Sequence, residues 1–106
     1  MLLARKQFTL GNIAQYTIDY SEHPCYDPYT IAAFYPVRDG DSIASATVTA
    51  SNVNVTVGAV TVYEGHKVVF KLSGGVVNEA FTLTIVTVTN NSETFTDTVA
   101  FTIVAP

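Results

Sequence analysis

A chain of 106 residues has the usual length of one domain, and its composition is weighted toward β-formers, with fifteen Val, fifteen Thr, six Phe and six Tyr. Only 13% of the residues are charged, against about 25% in an ordinary soluble domain, so the polar surface must be mostly Thr, Ser and Asn, which neighbouring subunits cover easily. With five basic residues and a net charge of −4 the chain lacks the Lys and Arg needed to displace counterions, which excludes a nucleic-acid coat, and no apolar run approaches the length of a membrane-spanning helix.

In Met1-Leu2-Leu3-Ala4-Arg5-Lys6 the positive charges follow a short apolar start, the reverse of a secretory signal, and the lone Cys25 cannot form an internal disulfide. Both point to synthesis in a reducing cytoplasm. Phe8 and Leu10 alternate only briefly before Gly11-Asn12, so residues 1–14 are expected as an N-terminal arm or a short strand. From Gln15 to Tyr20 the residues Tyr16, Ile18 and Tyr20 alternate with Gln15, Thr17 and Asp19, the period of a strand with one buried face. Residues 22–41 contain Pro24, Pro28, Pro36 and the turn signal Arg38-Asp39-Gly40-Asp41, and read as a long loop. That loop nonetheless carries Tyr26, Tyr29, Ile31, Phe34 and Tyr35, too many large apolar side chains for a solvated linker.

Residues 42–50 predict a strand of small residues with Val48 as its core contact. Val53, Val55 and Val57 continue the alternation, Gly58-Ala59 predicts a turn or bulge, and Val60 to Tyr63 resumes. Glu64-Gly65-His66 predicts a hairpin into a strand with Val68, Phe70 and Leu72 on one face, ended by Ser73-Gly74-Gly75. Residues 80–89 place Phe81, Leu83 and Ile85 opposite Thr82 and Thr84, and the clearest alternation follows Asn90-Asn91-Ser92 over residues 94–104, where Phe95, Val99, Phe101 and Ile103 share a face. About seven strands with turn signals between them predict an all-β fold, an immunoglobulin-like β-sandwich over residues 15–106, with a barrel as the alternative. The Cys–Trp–Cys pattern of antibody domains is absent, since the chain has no Trp.

No constellation points to catalysis, a metal or a cofactor. His23-Pro24-Cys25 with Asp27 gathers three metal ligands, but structural zinc needs four well-spaced ones, and His23 is poorly placed to serve Cys25 as a base. Asp39-Gly40-Asp41 lacks the remaining oxygens of a calcium loop, and Asp19 with Glu22 reads as solvated or cross-strand bonded carboxylates. The aromatic loop residues Tyr26, Tyr29, Phe34 and Tyr35 are expected at a partner interface or stacked on a sugar, and Phe8 and Leu10 are expected as contacts of the arm.

In their order, Tyr16-Thr17-Ile18-Asp19-Tyr20-Ser21, Asp39-Gly40-Asp41-Ser42-Ile43-Ala44-Ser45, Leu72-Ser73-Gly74-Gly75, Phe81-Thr82-Leu83-Thr84 and Phe101-Thr102-Ile103-Val104 make residues 15–105 resemble the fibre–tail adaptors of tailed phages. The chain departs from that family's pattern in its longer, Pro- and Tyr-rich segment between Ser21 and Asp39 and in the arm before Ala14. The resemblance implies an immunoglobulin-like virion protein, made in the host cytoplasm and present in several copies in a symmetric particle. It would join fibres to tail, neck or portal components. A capsid decoration protein and a carbohydrate-binding adhesion module are the alternative readings.

Overall fold

The computed structural model describes residues 1–21, 27–33 and 36–106. Among these, nine strands form and no helix: β1 (Leu2–Thr9), β2 (Ala14–Asp19), β3 (Thr30–Ala32), β4 (Ile43–Ala50), β5 (Val55–Val57), β6 (Thr61–Tyr63), β7 (Lys67–Gly74), β8 (Ala80–Thr89) and β9 (Thr94–Val104). They build two packed sheets, the first ordered β1-β9-β8-β4 and the second β3-β2-β7-β5, with β6 also paired to β7. The trio β4-β8-β9 facing β2-β7-β5 has the connectivity of the CFG and BED strands of an immunoglobulin sandwich.

Two strands beyond the expected seven need explanation. Residues 2–9 are not an arm but a full strand, β1, which runs parallel to β9 with Arg5 opposite Ala100 and Phe8 opposite Ile103. Its pattern was hard to read because a register shift between Leu2 and Ala4 puts Leu3 and Phe8, of opposite parity, both in the core. Within the expected loop, Thr30–Ala32 forms β3, parallel to β2 with Ile31 opposite Ile18, and it buries Ile31 and Ala33. Three residues are too few to show a period, so only pairing with a distant strand reveals it.

In β7, β8 and β9 the side chains alternate as expected, whereas Val53 lies outside β5 and is exposed. Val68, Phe70 and Leu72 of β7 are fully buried and meet Tyr16 and Ile18 of β2, while Phe81, Leu83 and Ile85 of β8 face them from the first sheet with Val99, Phe101 and Ile103. Phe81 and Phe101 stack with ring centroids 5.0 Å apart, and Tyr16 meets Phe101 edge-on at 5.3 Å. Ser73-Gly74-Gly75 ends β7 for a steric reason. Both glycines have positive φ, a Cβ on Gly74 would stand 2.6 Å from the Asn54 carbonyl oxygen, and one on Gly75 would stand 2.5 Å from Ile103 Cδ1. At the opposite end Glu64 and Gly65 both take positive φ within the three-residue connection Glu64-Gly65-His66 that links β6 to β7, and the His66 amide donates to the Tyr63 carbonyl at 3.3 Å.

Candidate interaction surface

Of the loop residues expected to meet a partner, Tyr26, Phe34 and Tyr35 lie outside the described residues, as do His23 and Cys25. Tyr29 is described. The Asp27 carboxylate accepts the Tyr29 amide at 2.8 Å and the Asp27 carbonyl accepts the Thr30 amide, a local turn that starts β3. From the other sheet the Lys6 ammonium donates to the Pro28 carbonyl at 3.2 Å. Tyr29 is thereby held with its ring edge-on to Tyr16 at 5.6 Å, and half of the residue remains in solvent.

The two arm residues do not join it. Phe8 is 1% exposed, a core residue of β1 rather than a docking contact, and Leu10 is partly buried against the core with its amide bonded to the Val104 carbonyl. Pairing with β9 sets Phe8 opposite the buried Ile103, which turns the Phe8 side chain inward. Beside Tyr29 the sequence instead supplies Ile13, 75% exposed, at the turn between β1 and β2. Ile13, Tyr29, Asn12 and Gln15 line a shallow depression of about 360 Å³.

Gln15 also borders a second groove of about 450 Å³ across the outer face of the second sheet, whose floor includes Thr17, Thr30, Thr61 and Val69. Register explains this floor: Thr17 stands opposite both Thr30 and Val69, and Val69 stands opposite Thr61, so one outward row crosses four strands. Tyr63, more than half exposed, stands at its far side. Ile13 and Tyr63 were not singled out from sequence. An isoleucine next to the turn pair Gly11-Asn12 is the signal that could have shown the first of them.

One polar cluster closes this face. Asp19 lies on the outer face, as its parity predicts, and of the two expected states, solvated or bonded across strands, it takes the second and is buried, while Glu22 lies outside the described residues. Its carboxylate accepts the Ser21 amide at 2.9 Å, and His66 Nδ1 lies 3.1 Å away. Burial raises its pKa, but bonds from the Ser21 hydroxyl and amide and the His66 imidazole outweigh that and hold it below the ordinary carboxylate value. Glu64 follows on the hairpin, 3.6 Å from His66 Nε2 and 3.1 Å from Lys67 Nζ. Asp41 closes a turn instead: its amide donates to the Arg38 carbonyl, and its carboxylate accepts the amides of Ser42 and Asn91. Among the described residues no group of three or more His, Cys, Asp or Glu is arranged to hold a metal.

Inside the sandwich lies a feature that the alternation of apolar residues does not show. Asp97, fully buried in β9 between Phe95 and Val99, accepts the Tyr20 hydroxyl at 3.2 Å, and Tyr20 Oη lies 3.0 Å from Thr87 Oγ1. The Tyr20 ring stacks on Phe95. Because the tyrosine hydroxyl has one proton and donates it to the carboxylate, Thr87 is the donor in the second bond. This network fixes the two sheets to each other and offers no open site. No protein-family model and no curated protein matches this chain.

Proposed function

We propose that this protein is a non-enzymatic structural component of a tailed-phage particle, an immunoglobulin-like adaptor between fibres and the tail, neck or portal complex. The observation that supports it most is the exposed Ile13–Tyr29 patch, edged by Asn12 and Gln15 and continuous through Gln15 with a groove that has Thr and Val on its floor and Asp19, Asp27 and Lys67 along its border. An apolar pair rimmed by uncharged polar groups is what a protein interface presents, since it loses little on desolvation. The resemblance of the motif order to fibre–tail adaptors is what suggests the particle. The test is incorporation: a double Ile13→Ser, Tyr29→Ser variant should remain folded while its occupancy in purified particles falls. Cryo-electron microscopy of the particle would locate the chain, and density on the capsid shell would replace the adaptor reading with decoration.

A second reading rests on Tyr63 and the Thr-lined groove, since an aromatic ring beside hydroxyl and amide groups also suits a sugar. Binding on a glycan array that is lost in Tyr63→Ala and kept in the Ile13, Tyr29 double variant would establish that reading instead.

A further inference from the structure

The edges of an open sandwich expose backbone amides and carbonyls that accept another strand unless they are blocked. Here the edges differ. β1 carries Arg5 and Lys6 at its middle, and Lys6 reaches across the gap to the Pro28 carbonyl. β3, β5 and β6 are three residues each, with Pro28 just before β3 and Gly58 between β5 and β6. β4 is eight residues long and has neither charge nor proline, and among the described residues no strand lies beyond it. Its one register shift falls between Ile43 and Ser45, so residues 45–50 pair regularly with β8.

The backbone there is set for a further strand. The Ser51 amide donates to the Thr82 carbonyl at 3.0 Å, and antiparallel alternation then turns the amides and carbonyls of Ala46, Val48 and Ala50 away from β8. Ser45, Thr47 and Thr49 are exposed on the outer face, small enough not to hinder an approaching chain.

We propose that β4 pairs antiparallel with β4 of a second copy of this chain, joining two four-stranded sheets into one. The occupant follows from charge. A two-fold axis across β4 sets each residue opposite itself or a near neighbour, so any ionised side chain there would face its own like charge. No Asp, Glu, Lys or Arg occurs between Asp41 and Glu64, the stretch that holds β4, β5 and β6. With a net charge of −4, two copies repel each other elsewhere, and the uncharged length of β4, between Asp41 at one end and the Glu79 bonded to Asn52 at the other, is where they approach at least cost. The same neutrality gives a charged foreign strand nothing to recognise. The inference is independent of the adaptor reading.

The test is sedimentation velocity of the purified chain over a dilution series, with amide hydrogen exchange followed in the same samples. The expected result is a concentration-dependent monomer–dimer equilibrium in which the amides of Ala46, Val48 and Ala50 exchange slowly in the dimer and fast on dilution. Thr47→Lys sets two ammonium groups close across the axis and should weaken the dimer roughly tenfold or more, since like charges at an interface are costly. Thr102→Lys, away from this edge, should leave it unchanged. Should Thr47→Lys disturb the fold, Ala46→Pro removes an amide directed away from β8 and reads the same edge. A chain that stays monomeric at every concentration overturns the proposal. So does a dimer in which those three amides exchange fast, or one that both edge variants leave intact.

Discussion

The two halves of the sandwich interior are built on different principles although they share strands. Around Phe101 the interior is apolar: Phe81 stacks on it, Tyr16 meets it edge-on, and Leu72, Leu83 and Ile103 close the layer. Around Asp97, two turns of the same alternation earlier on β9, the interior is hydrogen-bonded: Tyr20 from the second sheet reaches Asp97 and Thr87 of the first. Non-directional burial stabilises the first half and leaves its geometry adjustable, while the second half accepts only one relative placement of the sheets. The polar half thus contributes registry, at the cost of desolvating a carboxylate.

The largest effect should come from the apolar half. Phe101→Ala removes a ring that is 1% exposed and leaves a cavity between Phe81 and Tyr16, for an expected loss of about 3–5 kcal/mol in urea unfolding. A loss below about 1 kcal/mol would mean that this half can collapse around the gap and is not closely packed. Tyr20→Phe probes the other half while keeping the stack on Phe95. It deprives Asp97 of a charge-assisted bond, and the expected cost is about 1.5–3 kcal/mol. A neutral result would show that the network contributes neither stability nor registry.

A smaller effect is expected from the Asp19 cluster on the outer face, and it depends on pH. The folded-state pKa of Asp19 is lowered, so as pH falls the unfolded chain binds its proton first. The stabilisation is complete above the ordinary aspartate value of 3.8 and is lost as pH drops through it toward the folded value. Asp19→Asn should therefore lower stability at neutral pH and flatten the acid limb of the stability profile. If the acid limb of the variant superimposes on that of the parent chain, Asp19 is not a source of the acid sensitivity.

Residues 80–89 and 94–104 were legible as strands because Phe81, Leu83 and Ile85 in the first, and Phe95, Val99, Phe101 and Ile103 in the second, fall at every second position or a multiple of it with Thr between them. The sandwich follows from them and from the Val68, Phe70, Leu72 face of β7. What alternation assigns is a face, not an occupant. Asp97 and Thr87 stand at inward positions by the same parity that picks out Val99 and Ile85, and their polarity hid them. β1 and β4 were obscured by bulges: Ile43 and Val48 are both buried although their parity differs, because the shift at Ala44 resets the phase. Of the candidate surface, the exposure of Tyr29 was legible from a loop too aromatic for solvent. Ile13 was not, since its neighbourhood depends on β3 pairing with β2 across a long connection.

The smallest effect serves as the control on the comparison. Thr96 and Thr102 are exposed on the outer face of β9, the first over the polar half and the second over the apolar half. Replacing either with Ala removes a β-branched side chain from a central strand without opening the interior, so each should cost about 0.5–1 kcal/mol or less. Equal, small losses would place the contrast between the halves wholly in the residues between the sheets. A Thr96→Ala loss several times that of Thr102→Ala would show that the polar half depends on its outer face as well. The rigidity assigned to the Tyr20–Asp97 network would then belong partly to the threonine rows that run across β4, β8 and β9, where Thr49, Thr84 and Thr98 stand side by side.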